Sequence, residues 1–507
     1  MLENSPVKSA DAESQAGRAG HGQAAGGQAP KATTLRLRLA ATVRRHWLAT
    51  ALLAAGLVLR VLTQLAYRPA LFYIDTTRYL YNVAQGMDPV GYKGPLRAIL
   101  AVANFDAVAA VQHLLGLGMA VVIYLVLLRR GTPRWLAALA MAPVLLDAYQ
   151  LQIEQTVMPD VWFQALIVAG LAVLLWQKET SWRRAAVAGL VLGTSATVAQ
   201  VGEALILPAV IYLLAAGGGW RRVLGKVAAV CVAFALPILA YETTNYLLAG
   251  DFFLSHTGVT SLYGRLASAA DCATLRLPPA ERGLCPARAQ QAKGPDWLEY
   301  GAASPVAPYY ASLPREQTNS LLSDFNHRVL AQQPQLVLGA YTRDVLKLFM
   351  LTRTTGAGDT PISRWQFQTT FPYFDPHASK QVVDTAIATF GGGRPAVWRP
   401  GAAFLRSYQL GGGYTPGPLF AVLVLASLAG SAALLRRRAD PRTRQLALAC
   451  LLLFTSAAAV LLVSGFFEFS WRYQLPALVT LAPSGALGVA VILRWFSRRP
   501  AEPPVIY

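Results

Sequence analysis

Ten apolar stretches recur along this chain, at about 47–66, 107–128, 134–148, 161–176, 185–200, 203–216, 223–241, 415–435, 446–465 and 475–494. Segments of about 20 such residues suit the hydrocarbon core of a bilayer, where a helix satisfies its own backbone. The junctions between them carry Arg129-Arg130, Arg183-Arg184, Arg221-Arg222, Arg436-Arg437-Arg438 and Arg498-Arg499. Arginines at 36, 38, 44 and 45 precede the first stretch. Alternating crossings from a cytoplasmic N-terminus put every one of these runs inside, as the positive-inside rule requires. The short loops at 149–160 and 200–203, which hold no Lys or Arg, then face outward. The expected fold is an all-α polytopic membrane protein of about ten transmembrane helices, with interfacial helices, a large extracytoplasmic loop region and both termini cytoplasmic.

Of the 507 residues, 54% are hydrophobic and 14% charged, a membrane profile that also accounts for a net charge of +19. The basic residues sit where topology and anionic lipid headgroups explain them, so no nucleic-acid partner is expected. The chain divides into a disordered cytoplasmic tail (1–34), a transmembrane module (35–241) with its first outer loop at 67–106, a large outer region (242–414) and C-terminal transmembrane helices (415–507). No apolar core in the first 30 residues suggests a cleavable signal peptide.

Two outer regions are long. In the first, residues 76–85 suit a short interfacial helix with Tyr79, Leu80 and Val83 on its apolar side, and Gly86, Gly91, Gly94 and Pro95 are expected to break it. In the second, Pro334 to Met350 reads as an amphipathic helix resting on the outer leaflet, with Leu338, Tyr341, Val345, Leu348 and Phe349 on one face. Cys272 and Cys285 share this region and suit a disulfide in an oxidising compartment, whereas Cys231 and Cys450 lie in apolar stretches.

Charges in short outer loops invite chemistry. Asp75 stands in Leu71-Phe72-Tyr73-Ile74-Asp75-Thr76-Thr77-Arg78-Tyr79, and Glu154 and Asp160 share the second outer loop. Glu203 occupies the third. Carboxylates at the ends of several helices can converge on one cavity, where one acts as a general base. The plainer roles are helix caps, solvated loop residues and local ion pairs such as Arg78–Asp75. Lys93, Arg97 and Arg472 are the outer cations suited to a phosphate, and Arg472 has a local alternative in Glu468 four residues before it. Arg78, Tyr79, Tyr473 and His256 complete the candidate substrate contacts. No sequence pattern supports a metal site; a divalent ion shared by Asp75 and a loop carboxylate finds no support, and no cofactor is expected.

These motifs resemble the GT-C superfamily of integral membrane glycosyltransferases, and within it the actinobacterial enzymes that use polyprenyl-phosphate sugars, such as mannosyl- and arabinofuranosyltransferases. The resemblance lies in Tyr73-Ile74-Asp75 with Arg78-Tyr79, in Glu154…Met158-Pro159-Asp160, and in Trp471-Arg472-Tyr473-Gln474-Leu475-Pro476. It implies Asp75 as catalytic base, Glu154 or Asp160 as acceptor contact or assistant, and a lipid-facing cleft. The first loop departs from members with paired acidic residues, since Thr76 and Thr77 follow Asp75. The expected activity is transfer of a sugar from a polyprenyl-phosphate donor to a hydroxyl of a glycan, lipid or protein, by a monomer in a bacterial plasma membrane. A transporter or flippase of a lipid-linked glycan and a non-catalytic cell-envelope scaffold are the alternatives.

Overall fold

A computed structural model describes residues 41–81, 89–436 and 440–496. The expected disordered tail at 1–34, and Val83 and Gly86 of the first outer loop, lie outside the described residues. Residues 1–47 and 48–507 form two separate units, and the candidate site with its supports lies entirely within the second.

All ten apolar stretches are helical. The N-terminal part runs through α1 (Trp47–Ala66), strand β1 (Tyr67–Arg68), α2 (Thr76–Tyr81), α3 (Lys93–Leu100), α4 (Phe105–Arg130), α5 (Arg134–Leu146), α6 (Ala148–Gln155), α7 (Asp160–Leu175), α8 (Trp182–Val198), α9 (Ile206–Ala216) and α10 (Trp220–Ala249). Among the described residues six helical spans are long and apolar enough to cross a membrane: α1, α4, α10, Gly417–Leu435, Pro441–Phe467 and Trp471–Phe496. A seventh is formed if α5 and α6, bent by 51°, count as one. By length and composition the described helices thus supply six or seven of the about ten crossings expected. Apolar sequence in α7, with 16 residues, and α8, with 17, makes helices of about 24–26 Å, short of the hydrocarbon thickness.

Helix ends follow local chemistry. Asn104 caps α4, its side chain accepting from Ala107 N, and Gly131 takes the left-handed conformation that ends it. The helix expected at 76–85 has ended before Gly91, and Gly94 and Pro95 belong to the helix that follows. Both lie in the first turn of α3, where a missing N–H costs nothing. Helices α8 and α10 touch backbone to backbone: a Cβ at Gly189 would stand 2.3 Å from Val230 O, and one at Gly193 2.1 Å from Phe234 O.

Asp147 makes the break between α5 and α6. It caps α6 by accepting from Tyr149 N, and its other oxygen accepts from Thr415 N. A helix that ends inside a protein leaves carbonyls to be satisfied. Here Val144 O and Leu145 O accept from the Arg60 guanidinium, and Leu146 O from the Tyr408 hydroxyl. All eight residues of α6 are buried.

Beyond α10, residues 250–416 hold α11 (Gly258–Ala269), α12 (Arg288–Gln291), α13 (Pro295–Tyr300), α14 (Ala307–Ser312), α15 (Arg315–Gln332), α16 (Pro334–Lys347), α17 (Lys380–Phe390), strand β2 (Ala396–Val397) and α18 (Arg399–Leu410). Tyr263, Leu266, Leu298, Leu322 and Phe325 form a core of their own there. A disulfide joins Cys272 to Cys285 as expected, and Cys231 and Cys450 are free. The short antiparallel pair β1–β2 ties this region to the end of α1.

The C-terminal helices are α19 (Gly417–Ala432), α20 (Pro441–Phe467) and α21 (Pro476–Phe496). The span containing α21 is 83% buried, against 22% for α1, so it is the central post, packed against α19, α20 and α5. The amphipathic α16 does not face lipid with its whole apolar side. Tyr341 packs on Phe466 and donates to Leu462 O at the end of α20, while Leu338 remains 62% exposed.

Candidate active site

The segment before α2 lies alongside the segment before α7. Leu71 N donates to Gln155 O at 2.8 Å, and Val157 N donates to Leu71 O at 2.9 Å. Thr76 locks the turn: its hydroxyl accepts from Tyr73 N and donates to Val157 O. Two loops separate in sequence are thereby brought side by side, and each ends in an aspartate, Asp75 and Asp160.

Arg472, on the short 3-10 turn Trp471–Gln474 before α21, stands between the two aspartates. Its Nε lies 3.1 Å from Asp160 Oδ1 and its Nη1 3.8 Å from Asp75 Oδ2. Arg78 approaches the other oxygen of Asp75 at 3.5 Å. The Arg472 guanidinium also lies over the rings of Trp365 and Tyr473, at 5.2 and 5.3 Å, which hold its plane. Side-chain exposures of 26% for Asp75, 15% for Asp160 and 18% for Arg472 mark a cleft still open to solvent.

A second set of charges faces the first from other parts of the chain. Arg364, on the turn Ile362–Trp365, donates to the Tyr73 hydroxyl at 3.2 Å. Burial pushes the Tyr73 phenol up to about 12, against the pull of Arg364, so it stays protonated. Asp296 on α13 keeps an exposed face, yet desolvation pushes its carboxyl up. Arg364, Asp75 and Arg472 are its charged neighbours. Glu468, between α20 and α21, accepts from the Tyr473 hydroxyl at 3.0 Å and from the Thr360 hydroxyl at 3.4 Å. Burial first, then nearby Asp296, pushes its carboxyl up to about 7.

Asp75, Arg78, Asp160, Arg472 and Tyr473 are therefore brought together. Tyr79 lies beneath them, its ring 5.3 Å from that of Tyr92 and its hydroxyl accepting from Arg78. The other expected site residues have neighbours of their own. Glu154 is 0% exposed and held by Arg60 at 2.7 Å, by His113 at 2.9 Å and by Gln150. Arg97 donates to Leu80 O and covers the ring of Phe390. Lys93 has Arg97 beside it and is held below its usual range, first by partial burial and then by that neighbour. Glu203 is exposed near Glu242. His256 stacks on Phe253 and pairs with Asp251 at 3.3 Å. The local Arg472–Glu468 alternative gives way to Arg472–Asp160.

Asp296, Arg364 and Arg60 are not among the expected site residues. Asp296 and Arg364 sit in a long polar region where a charge attracts no notice. Arg60 did leave a signal, since an arginine in the middle of an apolar span demands a buried partner. Among the described residues no three His, Cys, Asp or Glu side chains are grouped to hold a metal ion.

Neither a protein-family profile nor a curated protein sequence matches the chain. Among solved structures, the archaeal oligosaccharyltransferase AglB of Archaeoglobus fulgidus, in complex with an inhibitory peptide and a dolichol-phosphate, is 13% identical with a TM-score of 0.39; the match covers 89% of this chain and 51% of that one. The S. cerevisiae protein O-mannosyltransferase Pmt1–Pmt2 complex bound to the sugar donor is 14% identical with a TM-score of 0.32, over 44% of this chain and 36% of that one. The chain thus spans about half or less of the length of these structures. Overlap at these scores leaves function to be argued from the chain's own residues.

Proposed function

We propose that this chain is a GT-C-type membrane glycosyltransferase. It takes a sugar from a polyprenyl-phosphate donor and passes it to a hydroxyl of a cell-envelope glycan, lipid or protein on the extracytoplasmic face of a bacterial plasma membrane. The observation that carries the reading is the meeting of Asp75 and Asp160 on Arg472, in a partly open cleft at the ends of apolar helices.

In the reaction, Asp75 accepts the proton of the acceptor hydroxyl. The oxygen attacks the anomeric carbon as the bond from that carbon to the phosphate oxygen breaks. The bonding pair leaves with the lipid phosphate, and Arg472, with Arg364 across the cleft, offsets its charge. One displacement inverts the anomeric centre. The contacts of Asp75 at 3.5 and 3.8 Å are longer than good hydrogen bonds, which keeps its lone pairs available for a substrate hydroxyl. Asp160 holds Arg472 in place and stands where a sugar hydroxyl can be oriented.

The test is Asp75→Asn in purified, inserted protein, assayed with a panel of polyprenyl-phosphate sugars. Transfer should fall about 10³-fold, within the range for loss of a general base, with thermal stability unchanged. A folded Asn variant with full transfer defeats the mechanism. Movement of the lipid-linked sugar across vesicles without a new glycosidic bond defeats the reading itself.

A further inference from the structure

The Arg60–Glu154–His113 network lies outside the cleft but is joined to it through the backbone. Its members come from α1, α6 and α4, and their side chains are 2%, 0% and 6% exposed. Charges enclosed this far are kept only when paired, and they bind position tightly because each bond has one geometry. Arg60 donates to Gly56 O, Val144 O, Leu145 O and Glu154 Oε1. His113 bridges Glu154 Oε2 and Gln155 Oε1, both at 2.9 Å. Next to it, Gln112 donates to Glu154 O and Thr156 O.

The residues that follow carry the cleft. Gln155 O and Val157 N hold Leu71, Val157 O holds Thr76 beside Asp75, and Asp160 ends the same segment. Both cleft aspartates therefore hang from residues 154–157, which the network grips.

We propose that Glu154, with Arg60 and His113, is a positioning network: it fixes residues 154–157 and so sets Asp75 and Asp160 at their separation across Arg472. Glu154 touches no cleft residue and acts through the backbone. The kinetic part of this inference rests on the glycosyl-transfer reading; the geometric part does not. Apolar side chains of similar size can fill the same space, but they cannot satisfy Val144 O and Leu145 O or hold the α5–α6 bend.

The experiment uses the full chain with Leu71→Cys and Thr156→Cys, the partners of an isolated parallel bridge. Copper-phenanthroline oxidises the two thiols to a disulfide, counted by mass spectrometry. The pair should cross-link readily in the parent. Glu154→Gln, and the double replacement Arg60→Met with Glu154→Met, should each lower the yield about tenfold, a loss of about one factor of ten in the docked population. The double variant should regain part of the thermal midpoint lost in Glu154→Gln, since it strands no charge, and stay below the parent because Val144 O and Leu145 O lose their donor. In the transfer assay, kcat should fall about 100-fold, as for a small misplacement of reacting groups, with KM for the donor unchanged. Full cross-linking and kcat in the double variant would reduce the network to packing and overturn the proposal. The same result in a folded Glu154→Gln also overturns it. Loss of cross-linking in a protein whose parent transfers no sugar supports positioning and defeats the glycosyl-transfer reading alone.

Discussion

Two of the arginine–carboxylate clusters among the described residues, around Glu154 and around Asp75, use the same chemistry to opposite ends. Around Glu154 the contacts are 2.7 and 2.9 Å and the side chains are 0–6% exposed. Around Asp75 they stretch from 3.1 to 3.8 Å, with exposures of 10–26%. The first cluster lies inside the helical body and is closed by backbone carbonyls; the second lies at helix ends and keeps a face to solvent. A buried ion pair is costly to form and worse to break, so the closed cluster serves placement. The open one leaves charge unspent, which is what a substrate needs.

The sharpest way to separate them is one substitution made twice. Arg60→Gln strands Glu154 in an apolar interior and should cost about 3–5 kcal/mol of stability, read as a lowered thermal midpoint and reduced folded yield. Arg472→Gln, at a site that keeps some access to solvent, should cost less stability than Arg60→Gln but reduce transfer about 10³-fold, as for loss of a group that stabilises developing charge. Equal stability losses in the two variants would erase the distinction.

The helical region between α10 and α19 offers a contrast of its own, since it has a separate core stapled by Cys272–Cys285. The bridge spans 13 residues of sequence. Replacing both cysteines by serine should cost about 3 kcal/mol, the value for a loop of this size. Limited proteolysis should then cut first within 250–337 and spare the membrane helices. Next in size is Gly116→Ala. The added Cβ would lie 2.1 Å from Glu154 Oε1 and 2.7 Å from Arg60 Nη2, side chains that the network keeps from retreating. Overpacking of this kind costs about 1–3 kcal/mol. Gly118→Ala, which meets nothing within 4 Å, is the control and should be neutral or slightly stabilising.

The apolar stretches announced their helices because burial in lipid leaves little choice, and Asp75, Asp160 and Arg472 stood out because charges are rare in short loops between them. What the sequence could not convey was depth. Glu154 and Asp160 lie six residues apart in one loop by reading, yet α6 folds inward at Asp147 and carries Glu154 into the core. The bend depends on Thr415, Arg60 and Tyr408, all remote in sequence. Asp296 and Arg364 reach the cleft only because the polar region folds back over it, and nothing local marks them. Hydropathy likewise reports that a segment is apolar but not how long its helix is, so ten apolar stretches yield six or seven helices of full spanning length among the described residues.

Glu468 gives the smallest expected effect and tests whether the second face of the cleft belongs with the open cluster. Burial, then Asp296, raises its carboxyl from 4.5 in the unfolded reference to about 7. Between these values the folded chain binds more protons at this site than the unfolded chain does, so the stability it contributes is full below about 4.5 and is lost as pH rises toward 7 and beyond. Glu468→Gln keeps the shape and the partners Tyr473 and Thr360 without the charge. The variant's thermal midpoint relative to the parent should therefore rise as pH is raised from 4.5 to 8 in the same detergent. The groups facing Glu468 from the elements around it are Asp296, Arg364, Arg472 and Tyr473. Repeating the comparison in Asp296→Asn should shrink the pH-dependent gain, because the repelling charge is gone. Parallel curves for parent and Glu468→Gln would instead make Glu468 an ordinary solvated carboxylate, and the cleft would end at Arg472.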